Sequence, residues 1–361
     1  MQPRPIVRVD ALTRVLGDAG RERYYLRVKR IVLPALLATV GFACSNDDAA
    51  TDDGATTQET MTMGDGDAGD GDAGDGDTGD GDAGDGDAGI TPGCDGEGFT
   101  DPGDYTREIE FAGQTRQFRI HIPPGYAPDT PTPVILNFHG FGSQSSEQIF
   151  FSAMNETSDE KGFIVVYPDG LPNSNGSQAW NGGTCCADDN RDDVGFTRAM
   201  VDQLDTLICM DRERLFSTGM SNGGYMSYRL ACDAPDLVKA VAPVAGALGI
   251  PEASCTPAQT VPLIHIHGTV DSAVPYSAAV SSVEAWASKA GCVGDPVEVY
   301  QQGIATCVQW QDCAEGPVEL CSAEGIDHCW PGQLFCPYGS STEDLMSNER
   351  MWDFFVAATS G

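Results

Sequence analysis

Ser221 sits at the centre of Gly219-Met220-Ser221-Asn222-Gly223, after the apolar run Arg214–Met220 and before a helix-forming stretch that begins at Asn222. A serine hydroxyl is a weak nucleophile until a base takes its proton. Gly-x-Ser-x-Gly at a strand-to-helix turn holds that hydroxyl out at the edge of a sheet. It also puts the next amide, here that of Asn222, at a helix N-terminus, where unpaired N–H groups stabilise an oxyanion. The same five-residue pattern occurs in ordinary glycine turns, so acyl-transfer chemistry requires a base and an acid elsewhere in the chain.

The chain has five histidines. In a strand–turn–helix hydrolase the order is serine, then acid, then histidine. His121, His139, His265 and His267 all precede Asp271, the acid best placed after the serine. Only His328, in EGIDHCWPG, lies downstream on a loop after a late strand, and elimination makes it the base. Asp271, in HIHGTVDSAVPY, falls just past a strand end, where a carboxylate can hold an imidazole in one tautomer. Asp327 is the rival acid, but adjacent side chains on a loop seldom face one another. NFHGFG, residues 137–142, supplies a second oxyanion donor in the amide of Phe141. Trp180 in SQAWNGGTCC, Trp330 beside His328, and His139 are candidate substrate contacts. Core packing explains either tryptophan equally well.

Positioning these residues calls for alternating strands and helices. REIEFAGQTRQFRIHIP reads as a hairpin turning at Ala112-Gly113-Gln114. PVILNFHG, FIVVYP, RLFSTGM, KAVAPVAG, PLIHIHG and VELCSAEG read as strands. Residues 144–161, 192–207, 222–232, 277–291 and 342–357 read as helices. That alternation predicts an α/β fold with a mostly parallel central sheet covered by helices on both faces. The folded unit is expected over residues 94–361, long enough for a single catalytic domain.

The N-terminal quarter has a different composition. Residues 1–30 carry seven Arg and one Lys and precede the apolar run Ile31–Ala43, about 13 residues and short for a membrane span. Residues 1–43 therefore read as a signal peptide with a long basic region, which a translation start nearer Val28 would shorten. VGFAC resembles a bacterial lipobox, which makes Cys44 the expected lipidation site and the protein secreted or held at the cell surface. The 13 cysteines agree, since setting Cys44 aside leaves an even set of 12 suited to an oxidising compartment. No cysteine spacing reads as a zinc site.

Residues 44–93 are acidic. Gly-Asp-Gly-Asp-Ala/Thr repeats five times between Gly64 and Gly89, a composition that predicts an extended, solvated linker rather than a folded calcium site. The net charge of −34 disfavours nucleic acid and anionic lipid as partners, leaving membrane contact to the lipid anchor.

NFHGFG, AWNGGTCC, RDDVGFTRAMVD, FSTGMSNGGYMSYRLAC, APVAG, HIHGTVDSAVPY and DHCWPG, in that order, resemble the secreted feruloyl esterase and polyhydroxybutyrate-depolymerase-like family of α/β-hydrolases, over roughly residues 104–357. The resemblance implies an α/β-hydrolase fold with Ser221 as nucleophile, Asp271 as acid and His328 as base. It implies an acyl-enzyme mechanism that needs no metal or cofactor, and it also implies a Cys292–Cys313 bridge. The chain departs from the family around His328, where Ile326-Asp327 precede and Cys329 follows. A Cys329–Cys336 bridge is expected to shape that loop. Pairing of Cys185, Cys186, Cys209, Cys232 and Cys255 stays open. The expected substrate is a feruloyl or acetyl ester of plant polysaccharide, with hydroxybutyrate oligomers as the alternative and a non-catalytic binding lipoprotein as the rival of another class. A monomer is expected.

Overall fold

The computed structural model describes residues 92–95 and 98–360. The signal sequence, Cys44 and the acidic repeat lie outside these residues. At one end of the sheet, β1 (Gly103–Phe111) and β2 (Gln114–Ile122) pair antiparallel from Gly103↔Ile122 to Phe111↔Gln114. Ala112 and Gly113 between them both take positive φ, 52° and 76°, as a two-residue hairpin turn matching strand twist requires. Next come β3 (Thr132–Phe138), α1 (Ser145–Ser152), α2 (Met154–Lys161) and β4 (Ile164–Pro168). The single helix expected over 144–161 is therefore two. Ala153 adopts φ 44° and donates its N–H to the Ile149 carbonyl, which closes α1 and redirects the chain.

A two-stranded ribbon, β5 (Leu171–Pro172) with β6 (Gln178–Ala179), leads to α3 (Asp193–Leu207), capped by the Asp192 carboxylate on the Gly195 amide at 2.7 Å. β7 (Met210–Met220), α4 (Asn222–Asp233), β8 (Ala240–Val244), β9 (Leu263–Gly268) and α5 (Tyr276–Lys289) follow. The chain ends in β10 (Gly294–Gln302), β11 (Ala305–Gln311), β12 (Val318–Ala323) and α6 (Ser347–Thr359).

The sheet runs β1-β2-β4-β3-β7-β8-β9-β12-β11-β10. The six strands from β4 to β12 in this order are parallel, and an antiparallel hairpin flanks each side. Alternation along β3 explains how one strand serves two cores. Val134, Leu136 and Phe138 pack with α3, α4 and α5 residues such as Phe196, Met226 and Trp286. Ile135, pointing the other way, packs with Phe354 and Phe355 of α6. Fully buried parallel strands carry the unbroken apolar runs seen in their sequences. From β3 the chain moves to β4 on one side and later to β7 on the other. The loops after β3 and β7 thus meet at the switch point, where open α/β sheets form ligand crevices.

Among the described residues six disulfides tie the domain: Cys94–Cys209, Cys185–Cys186, Cys232–Cys255, Cys292–Cys313, Cys307–Cys321 and Cys329–Cys336. They include both expected bridges, and their number fits a domain that folds in an oxidising compartment. Cys94–Cys209 closes the longest loop, a sequence separation of 115, and fastens the start of the domain to the end of α3.

Candidate active site

Ser221 follows the last residue of β7 and precedes the first of α4, with φ 55° and ψ −119°. A non-glycine residue holds such angles only when its surroundings over-determine them. Here the Ser221 amide donates to the Val244 carbonyl at 2.9 Å, and its carbonyl accepts from the Tyr225 amide at 3.0 Å. The turn also needs Gly223, because a Cβ there would lie 2.0 Å from the Phe138 carbonyl oxygen. β3 and α4 therefore approach closely, which brings the 139–142 loop beside the serine.

His328 reaches the same place from the loop after β12. Its Nδ1 lies 2.7 Å from Asp271 Oδ2, both side chains being buried. The Asp271 Oδ1 accepts the amides of Ala273 and Val274 at 2.9 and 2.7 Å, which fixes the carboxylate plane. Burial pushes the Asp271 carboxyl up, but hydrogen bonds from His267 and His328 override it and hold the group well below the ordinary carboxylate range. Asp327 faces elsewhere. Its Oδ1 accepts the Ser272 amide and hydroxyl and the His328 amide at 2.7, 2.9 and 2.7 Å, clasping the acid loop to the histidine loop.

Ser221 and His328 open on one cleft of about 270 Å³, with Phe141, Phe151, Met220 and Tyr338 among its walls. The Asn222 amide is the first of α4, where N–H groups lack acceptors within the helix. Phe141 lies on the loop across from it, held by Gly142 N–H to the Gln178 carbonyl at 2.8 Å.

The three expected substrate contacts are corrected. His139, Trp180 and Trp330 are essentially inaccessible, with 0, 0 and 1% exposure, so none offers a surface to a ligand. The Trp180 Nε1–H donates to the His139 carbonyl at 3.0 Å, and the Asn222 side chain grips the Trp180 backbone from both sides at 2.7 and 3.0 Å. His139 Nδ1–H donates to the Gly140 carbonyl at 2.7 Å, while its Nε2 accepts the Gly170 amide at 2.9 Å. Burial holds this imidazole below its ordinary value, matching that neutral tautomer. Trp180 and the Asn222 side chain thus frame the 139–142 loop, and His139 ties it to Gly170. Trp330 instead bonds Asn348 at 2.9 Å, anchoring the histidine loop to α6.

Sequence reasoning missed the aromatic wall and a second partner of the acid. Phe335, inside the Cys329–Cys336 loop, stacks on Phe151 with centroids 5.7 Å apart, and the Tyr338 ring meets His328 edge-on at 5.1 Å. The sequence signal was the Phe150-Phe151 pair and the apolar Leu334-Phe335 between bridging cysteines. His267 Nε2 lies 3.2 Å from Asp271 Oδ2, and the signal was the His-x-His alternation four residues ahead of the acid.

A family model described as "Putative esterase" matches residues 110–299. Feruloyl esterase B of Piromyces equi is 32% identical over 237 residues, 59% of this chain and 42% of that protein, so the chain spans less than half of that relative's length. "Putative esterase NocK" of Nocardia uniformis subsp. tsuyamanensis is 30% identical over 288 residues, covering 69% of this chain and 82% of the relative. An acetyl xylan esterase from Aspergillus awamori shares the fold, with TM-score 0.55 at 14% identity over 70% of this chain and 98% of that one. The family match and these relatives define a carboxylic ester hydrolase, and the fold is that of the α/β-hydrolase class. The chain belongs to the esterase family that this model describes.

Proposed function

We propose that the protein is an exported serine esterase that cleaves hydroxycinnamoyl esters, such as feruloyl groups on plant polysaccharide, through an acyl-enzyme. The observation that carries this reading is the cleft shared by Ser221 and His328, whose other walls include Phe141, Phe151 and Tyr338. A flat aryl acid gains ring contacts there that an acetyl group cannot make. About 270 Å³ is just below the range of roughly 300–1,000 Å³ usual for drug-sized ligands, which suits one ring-sized acyl group and leaves the polysaccharide outside.

His328 takes the proton as Ser221 Oγ attacks the ester carbonyl, and Asp271 stabilises the imidazolium that forms. The Asn222 and Phe141 amides receive the oxyanion. The imidazolium then protonates the leaving alcohol, and water activated by His328 releases the acid. The lipobox-like stretch supports anchoring at Cys44, with the acidic repeat acting as a tether from a membrane surface.

The test compares methyl ferulate, naphthyl acetate and a hydroxybutyrate trimer, using the purified protein with Ser221→Ala and His328→Ala alongside. The expected result is preference for methyl ferulate, with both variants losing about 10⁴-fold or more in kcat. Preference for the trimer would replace the aryl-ester reading with a polyester one. Wild-type rates in both variants would overturn the assigned nucleophile and base.

A further inference from the structure

Alternation along β9 sends His265 and His267 to one face of the strand, and both are fully buried. His267 Nε2 lies 2.9 Å from the Val274 carbonyl oxygen and 3.2 Å from Asp271 Oδ2. A carbonyl only accepts, so this nitrogen carries the proton. The Nδ1 of a neutral ring then accepts, and its partner is His265 Nε2 at 2.9 Å. His265 Nδ1 in turn accepts from the Tyr228 hydroxyl at 2.8 Å. With neutral rings each link has a single assignment, and the chain of donors runs from α4 through β9 to the acid. Burial holds His265 well below the ordinary histidine value, helped by His267, and holds the Tyr228 phenol well above its own.

We propose that His267 is a positioning residue for the acid, sharing its Nε2–H between the Val274 carbonyl and the same Asp271 oxygen that receives His328 Nδ1–H, with His265 and Tyr228 fixing the tautomer that makes it a donor. This rests on the reading of Asp271 and His328 as acid and base. The two amides on Oδ1 set the carboxylate plane, and the two imidazoles on Oδ2 divide its charge. Removing one imidazole directs more of that charge to His328 and raises its affinity for a proton. The other charged or titratable groups around the pair are Asp327, which accepts the His328 amide, Tyr338, whose ring meets His328 edge-on, and Glu147 on the cleft wall. The Tyr276 ring stands 6.1 Å from that of His267.

The experiment measures kcat, KM and the pH dependence of kcat/KM for His267→Phe, His267→Gln and Tyr228→Phe, with His328→Ala as the control for the underlying reading. An amide places a donor and an acceptor about as far apart as the two imidazole nitrogens, so glutamine can both donate to Asp271 and accept from His265. The expected result is a fall of about 10- to 100-fold in kcat for His267→Phe, with KM little changed. Its acid limb should move to higher pH by about half a unit or more. His267→Gln should recover most of both. Tyr228→Phe, which keeps the ring and removes only the hydroxyl, should move the limb in the same direction by less. Equal losses for phenylalanine and glutamine with all acid limbs at the wild-type position would overturn the proposal and leave His267 as packing. Full activity in His328→Ala would instead sink the underlying assignment, whatever the His267 variants do.

Discussion

The two sides of the cleft are built on opposite terms. On one side every oxygen of Asp271 is spoken for, by two amides and two imidazoles, and the groups behind it are buried. On the other, Phe141 and Tyr338 stand 38 and 51% exposed, and Phe151 is backed by the stacked ring of Phe335 on a loop closed by one disulfide. The difference separates two demands. Proton transfer needs atoms fixed to a fraction of an ångström, which a saturated network of directional bonds supplies. Recognition of a ring needs apolar area, which packed aromatics supply with more freedom of position.

Asp271→Asn tests the fixed side most severely. It keeps the shape but can force the wrong His328 tautomer, and kcat should fall about 10⁴-fold with KM little changed. A loss below about tenfold would mean that the carboxylate does not orient the base. Phe151→Ala tests the adaptable side. Turnover of methyl ferulate should fall about tenfold, chiefly through KM, while naphthyl acetate should change less. Equal effects on both esters would remove the aromatic wall from any part in selection.

The smallest effect concerns the buried imidazoles as charges. His139 and His265 have folded-state values held down by burial, so the unfolded chain takes protons first as pH falls below about 6.5. Their contribution to stability is present above that pH and lost below it. Asp271 acts lower: its value is depressed on folding, so the stability it contributes is present above about pH 4 and lost as the pH falls further. Calorimetry should show Tm declining between pH 7.5 and 5, before carboxylates titrate. A flat profile over that range would contradict the neutral, buried state of these rings.

The same contrast explains what could be read from the sequence. Gly219–Gly223, Asp271 and His328 were legible because strand ends and chain order constrain where each can stand. The central parallel strands were legible as short apolar runs. The β10–β11 hairpin was not: its outer strand is largely exposed, so VEVYQQ lacks the clean alternation that burial of one face imposes. Trp180 and Trp330 misled because an aromatic near a site motif looks the same in sequence whether its face meets ligand or core. Only the partners of their indole N–H groups, the His139 carbonyl and Asn348, reveal which. Chain order excludes His267 as the base but carries no information on its contact with the acid, which depends on the β9–Asp271 turn.

The most direct measurement of the central claim is covalent trapping. The protein would be treated with an aryl phosphonate, digested, and analysed by mass spectrometry, with Asp271→Asn run in parallel. The account predicts one adduct, on Ser221, formed far more slowly in Asp271→Asn. An adduct on another residue, or labelling of Ser221 at the same rate in both proteins, would contradict it.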